Sequence, residues 1–224
     1  MMYILYFLIA GLIGYLCGSI PFGFLYVKLV KKADLREIGS GRTGGTNSLR
    51  AAGLPVGVAT GLSDVFKGML GIWLTKLALS NLVTEAWLPW LLITAGIMSV
   101  VGHNWSVFIK FKGGAGTGPN IGWATAIWWP MFPIGLVVMI GLLLGVGMAS
   151  VASLAMAVIV PIVFVILYLM GYAAFDVTPA YWVGGLIAAT VIIWALRPNI
   201  KRIINGTERV VGPRARRKNA QQTG

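Results

Sequence analysis

Two glycine-rich, basic segments hold most of the side chains able to do chemistry. The first reads Gly39-Ser40-Gly41-Arg42-Thr43-Gly44-Gly45-Thr46-Asn47-Ser48-Leu49-Arg50. Glycines let successive backbone N–H groups point into one concavity, Ser40 and Thr46 add hydroxyl donors, and Arg42 or Arg50 can pair bidentately with a phosphate. No Gly-Lys-Ser/Thr closes the run, so it is not a Walker loop. A flexible connector has the same composition, and the segment alone leaves both open. The second runs from Gly102-His103-Asn104-Trp105 through Lys110-Phe111-Lys112-Gly113-Gly114-Ala115-Gly116-Thr117-Gly118-Pro119-Asn120 into a helix start. Backbone donors and the positive end of that helix suit an oxyanion. His103 has no carboxylate beside it in sequence, which favours a structural hydrogen-bonding role over that of a base.

Smaller groups recur beside the apolar segments. Asp64 and Lys67 stand one helical turn apart and can pair. Ser150 and Ser153 open an apolar helix, where capping is the default role and ligand contact the alternative. Asn199, Lys201, Arg202, Asn205 and Glu208 follow the last apolar run as a basic interfacial segment. No His/Cys/carboxylate cluster has metal-ligand spacing and no nucleophile elbow is present, so neither a metal, a cofactor nor a covalent intermediate is expected.

These groups must be positioned by a membrane scaffold. The 224 residues are 58% hydrophobic with a mean hydropathy of +0.84, far beyond what a soluble core absorbs. Stretches such as Leu88 to Val101 and Val151 to Met170 carry no charge, and the longer ones cross a roughly 30 Å hydrocarbon layer as helix. Apolar runs bounded by charge, Gly and Pro predict an all-α, polytopic protein with about seven transmembrane helices, at 3–27, 65–80, 87–101, 119–130, 131–148, 151–170 and 181–196. Pro130, Pro133, Trp128 and Trp129 favour two short helices over one kinked helix within 119–148. The first run lacks the basic prelude of a cleaved signal and is expected to persist. Cys17 within it is a small buried hydrophobe.

The chain carries 18 Lys and Arg against 6 Asp and Glu, and their positions in loops argue for membrane orientation rather than nucleic acid. With the N-terminus outside, every Lys and Arg except Lys76 lies at the cytoplasmic side, together with loops 28–64 and 102–118 and the C-terminus. Merging the two short helices would export the basic tail. One domain is expected over 1–211, with 212–224 a basic tail against anionic headgroups. Nearly charge-free spans and the lack of a repeat argue against a transporter.

The ordered set of Gly18-Ser19-Ile20-Pro21-Phe22-Gly23, Gly39-Ser40-Gly41 with Gly44, Thr46-Asn47 and Arg50, Asp64 with Lys67-Gly68, Gly102-His103 through Gly113-Gly114, Ser150 and Ser153, and Asn199-Ile200-Lys201-Arg202 with Asn205-Gly206-Thr207-Glu208 resembles the bacterial acyl-phosphate:glycerol-3-phosphate acyltransferases of the PlsY type. The resemblance implies a multi-pass plasma-membrane enzyme with cytoplasmic active-site loops. Its substrates would be acyl phosphate and glycerol 3-phosphate, and its product lysophosphatidate. It implies that Ser40, Gly41, Thr46 and Asn47 hold the acyl phosphate and that Arg50, Lys112 and Asn199 hold the glycerol phosphate. Arg42, His103, Lys67, Ser150 and Glu208 are further candidates. The sequence departs from the family pattern where a Lys becomes Ala115, a His becomes Leu196, and an Asn and an Ala become Arg42 and Gly45. Arg42 can restore the missing positive charge, although a guanidinium does not reproduce an ammonium's geometry. A divergent relative with another phosphorylated acceptor, or one that binds lipid phosphate without turnover, is the alternative those departures leave open.

Overall fold

The computed structural model describes residues 2–172 and 178–211; the basic tail at 212–224 lies outside them. The described residues are helical, without strands. The first apolar run is not one helix but two, α1 (Met2–Ser19) and α2 (Phe22–Lys31). Pro21 has no N–H to continue the ladder and pushes Ile20 out of helical geometry, so the break follows from the sequence. It also exposes two backbone carbonyls, which the neighbouring helices use: Ser106 Oγ donates to Ser19 O at 2.6 Å and Lys67 Nζ to Ile20 O at 2.9 Å.

The connection expected over 28–64 is largely structured. It contains α3 (Gly45–Ala52) and the start of α4 (Leu54–Leu79), which begins well before the expected residue 65. Gly53, at φ +88°, turns the chain between them, and Pro55 sits in the first turn of α4, where its missing N–H costs nothing. The apolar pattern missed this stretch because Gly57, Thr60, Gly61 and Ser63 interrupt it. The remaining helices are α5 (Leu88–Asn104), α6 (Thr117–Ile127), α7 (Met131–Gly145), α8 (Ala149–Leu169), α9 (Ala180–Ala195) and α10 (Arg197–Ile204). The 119–148 stretch is thus two helices, divided at Trp128-Trp129-Pro130. The segment after α9, read as a basic interfacial strip, is the short helix α10, bent 65° from α9.

Among the described residues three helical units are long and apolar enough to cross a membrane: Met2–Lys31, Leu88–Ile109 and Ala149–Leu169; a fourth arises if bent α9–α10 counts as one. Exposed Leu8, Leu12, Val137, Leu144, Ile162 and Leu169 form the apolar exterior that lipid would cover. Inside, Trp123 of α6 is fully buried and stacks on Phe164 of α8 with ring centroids 5.5 Å apart. Its indole N–H donates to Asn120 Oδ1 at 3.0 Å, which satisfies the polar atom that comes with so large a buried ring.

α1 packs along α5 through glycine. A Cβ on Gly14 or Gly18 would run into the backbone of Ala95 or Ser99, and one on Gly102 into the Tyr15 carbonyl. Small residues at such a seam let helices approach where lipid supplies no hydrophobic driving force. Gly18→Val is expected to lower stability by about 1–3 kcal/mol through overpacking. Thermal unfolding in detergent would measure it, and an unchanged midpoint would refute the seam.

Candidate active site

The first glycine-rich loop is organised by Asn47. Its amide Nδ2 lies 3.2, 2.9 and 2.9 Å from the carbonyl oxygens of Leu35, Ile38 and Arg42, and its Oδ1 accepts from Ser40 N–H at 3.0 Å. A side chain in the first turn of α3 thereby folds residues 35–42 back over the helix start. Gly39 must be glycine: it sits at φ +55°, and a Cβ there would strike Asn47 Oδ1.

Arg42 ties this loop to the rest of the protein. Its guanidinium donates to Gly114 O at 3.0 Å, to Ala195 O at 2.7 Å and to Asn199 Oδ1 at 2.9 Å. All three acceptors are neutral, so these contacts do not neutralise the cation. Burial, followed by the charge of Arg202, pulls Arg42 downward from its usual value against the attraction of Glu208, yet an arginine stays charged. Its partners Gly114 and Ala195 place the guanidinium beside Ala115 and Leu196, which follow them in sequence and line the same cavity.

Glu208 locks the C-terminal segment down. It accepts from Asn199 Nδ2 at 2.9 Å and from Arg202 Nε at 2.9 Å, and Val211 N–H closes the segment onto Gly147 O at 2.7 Å. Burial pushes the Glu208 carboxyl up, but the bonds from Asn199 and Arg202 outweigh it and hold the group below its ordinary value of 4.5. A folded value below the unfolded one gives stabilisation that is complete above about pH 4.5 and lost as pH falls through the folded value. The protection factors of residues 197–211, exchange rates corrected for the intrinsic slowing of amide exchange in acid, are therefore expected to fall between neutral pH and about pH 3, and Glu208→Gln to remove that fall. Equal acid sensitivity in the variant would refute the assignment.

Behind the loops, α4 and α5 share a buried polar cluster. Lys67 Nζ lies 2.9 Å from Asp64 Oδ1 and 2.8 Å from His103 Nδ1, and His103 Nδ1 is 3.6 Å from the same carboxylate oxygen. The Asp64–Lys67 pair expected from spacing is present. The sequence places no carboxylate next to His103, and the fold supplies one by packing Asp64 against it.

All three segments open on one cavity of about 480 Å³. Its polar end is lined by Ser40, Arg42, Thr46, Arg50, His103 and Asn199, with Glu208 and Arg209 over it. The starts of four helices contribute to the wall: Gly44 to Asn47 at α3, Thr117 and Gly118 at α6, Ala149 and Ser150 at α8, and Leu196 and Asn199 at α10. No side chain caps any of these four starts. First-turn N–H groups and the partial positive charge of a helix start are what an anion needs. Three arginines, Arg42, Arg50 and Arg209, against two carboxylates, Glu208 and the Lys67-paired Asp64, add to the same field.

The other end of the cavity is apolar. Val58, Leu62 and Val65 of α4 face Leu136, Met139 and Ile140 of α7 across it. α4 packs on α6 whereas α7 packs on α8 and α6, so the slot between α4 and α7 stays open. Val58, Leu62, Leu136 and Ile140 are each about half exposed at its edge.

Of the residues singled out from the sequence, Ser40, Thr46, Asn47, Arg50, Asn199, Arg42, His103, Ser150 and Glu208 line this cavity. Gly41 and Lys67 stand behind the lining, and Lys112 is exposed on the surface, outside it. Ser150 and Ser153 are not caps: α8 starts at Ala149, so both lie within the helix and both line the cavity. Sequence reasoning missed Arg209 and the apolar slot. Alternation on α7 offered no signal for the slot, because that helix is apolar all round.

The fold and the cavity define an integral membrane protein with one amphipathic pocket, cationic at one end and apolar at the other. The family model for glycerol-3-phosphate acyltransferase matches residues 8–206. The glycerol-3-phosphate acyltransferase of Gloeobacter violaceus is 34% identical over 199 residues, covering 88% of this chain and 91% of that protein. That of Shouchella clausii is 33% identical over 202 residues, covering 90% and 94%. The crystal structure of PlsY, an integral membrane glycerol 3-phosphate acyltransferase, in its glycerol 3-phosphate form superposes with a TM-score of 0.76 at 30% identity, over 92% of this chain and 96% of that one. The lysophosphatidic acid form of PlsY gives 0.74 at 29% identity, over 92% and 95%. The chain belongs to the glycerol-3-phosphate acyltransferase family, of the PlsY type.

Proposed function

We propose that the protein transfers the acyl group of a fatty acyl phosphate to the 1-hydroxyl of glycerol 3-phosphate, giving lysophosphatidate and inorganic phosphate. The observation that carries the donor and acceptor assignment is the cavity itself: one cationic end walled by four uncapped helix starts, continuous with an apolar slot open at its side. A phosphorylated, water-soluble acceptor fits the first, and a lipid tail fits the second. The hydroxyl oxygen bonds the acyl carbon, the carbonyl–phosphate bond breaks, and the hydroxyl proton leaves to phosphate or solvent. An acyl phosphate is a mixed anhydride with a good leaving group, so positioning and charge stabilisation suffice, without a covalent enzyme intermediate.

In this reading Ser40, Thr46 and the start of α3 hold the phosphate of the donor, with Gly41 and Asn47 shaping their loop. Arg50, Arg42 and Asn199 hold the glycerol phosphate, and Lys112 acts from outside the cavity by attracting anions to it. Seven crossings, with the N-terminus outside and the cavity facing the cytoplasm of a bacterial cell, account for the concentration of Lys and Arg on the loops around the site. Maleimide labelling of single cysteines placed at 83 and 110, in a Cys17→Ser background, would test the orientation: only position 83 should react from outside.

Ala115 and Leu196 on the cavity wall favour one alternative, a different phosphorylated polyol as acceptor. Mass-spectrometric product analysis of the purified protein, with acyl phosphate and a panel of such polyols, decides between them. Lysophosphatidate as the main product supports the proposal. Acylation of another polyol, or donor binding without turnover, replaces it.

A further inference from the structure

His103 is the chain's one histidine. It is 5% exposed, lines the cavity, and belongs to the Asp64–Lys67 cluster. Lys67 Nζ has three neighbours within hydrogen-bonding distance, Asp64 Oδ1, Ile20 O and His103 Nδ1. An ammonium has three N–H groups and no acceptor. The carboxylate and the carbonyl can only accept, and the Asp64 charge, in a site this buried, requires the lysine to be the cation that balances it. The third N–H then points to Nδ1, which must present its lone pair. The ring hydrogen is left on Nε2. That nitrogen faces Gly114, where a Cβ would collide with it, and among the described residues it has no protein partner.

We propose that Lys67 fixes His103 as a neutral imidazole in the Nε2–H tautomer, and that this N–H donates from the cavity wall to an oxygen of the phosphate-bearing substrate. The proposal rests on the acyl-transfer reading only for the identity of that oxygen, which belongs either to the phosphate or to the acyl carbonyl on which negative charge develops. It makes His103 a donor and denies it the role of general base, since the nitrogen facing the cavity already holds a proton. It also gives Gly114 its reason: a side chain there would cover the donor. Lys67 and Asp64 are positioning residues, acting on substrate through the ring.

The test uses the full-length protein in detergent micelles, with ¹⁵N only in histidine, so that the two ring nitrogens give one unambiguous pair of signals. At neutral pH Nε2 is expected to be of the protonated kind and Nδ1 of the lone-pair kind. The reverse pattern, or two protonated nitrogens, overturns the assignment. Glycerol 3-phosphate and a non-hydrolysable acyl phosphonate are then added in turn. A shift of the Nε2 signal with either supports donation and tells which oxygen receives it; a shift with neither refutes the donor. In turnover, His103→Leu is expected to lose about a hundredfold in kcat, the usual cost of one lost donor to a developing charge. His103→Gln, which keeps an N–H near the Nε2 position, is expected to stay within about tenfold of the parent. Equal losses in the two would mean that the ring does more than donate and would overturn the proposal. The spectra decide the tautomer even if the protein makes no lysophosphatidate, so the two readings fail separately.

Discussion

Arg42→Ala is expected to lower kcat/KM for glycerol 3-phosphate by about 10²- to 10³-fold, the range for removing a preorganised charged donor from a desolvated site. The guanidinium joins the first glycine-rich loop to Gly114 O in the second, to Ala195 O at the end of α9 and to Asn199 in α10. It is therefore both a cation for the ligand and the clasp among the three segments that grip it. Arg42→Lys separates these contributions. An ammonium keeps the charge but cannot span acceptors on separate elements with a planar fork, so kinetics should recover only in part. Steady-state rates over a range of acceptor concentrations are the measurement, and a loss below tenfold for Arg42→Ala would show that the cation is dispensable.

The second large effect concerns stability. Lys67→Met leaves the Asp64 carboxylate, whose side chain is 5% exposed, without its partner, and breaking a buried pair in this way costs about 3–5 kcal/mol. Removing both charges, as Asp64→Leu with Lys67→Met, is expected to restore much of the loss, because no uncompensated charge then remains. Unfolding in detergent would show a deep drop in midpoint for the single variant and a shallower one for the double. If the double variant melts no higher than the single one, the cluster is held together by packing rather than charge.

The sequence carried the apolar helices openly, because long charge-free runs admit few other structures, and it carried the break at Pro21 less openly, because the apolar run continues through it. Residues 45–52 and 197–204 were opaque for a different reason. Both form helices of eight residues, too short and too polar to stand out from loop composition, and only packing sustains them. Within the site, local spacing made the Asp64–Lys67 pair legible. His103, 36 positions from Lys67, was not, since nothing in a single sequence says which turns of α4 and α5 meet. Arg42 shows the same boundary. Its charge and its place among glycines could be read, whereas its acceptors lie 72 and 153 residues away on the backbone, and a carbonyl leaves no mark on residue type.

The four helix starts around the cavity make part of its attraction for anions a property of the peptide groups themselves. Amide dipoles have no titratable proton and no side chain to exchange, so neither acid, nor alkali, nor replacement of any single arginine discharges that portion of the field. Variants stripped of a guanidinium keep a residual hold on phosphate, because the main chain goes on marking where the anion belongs.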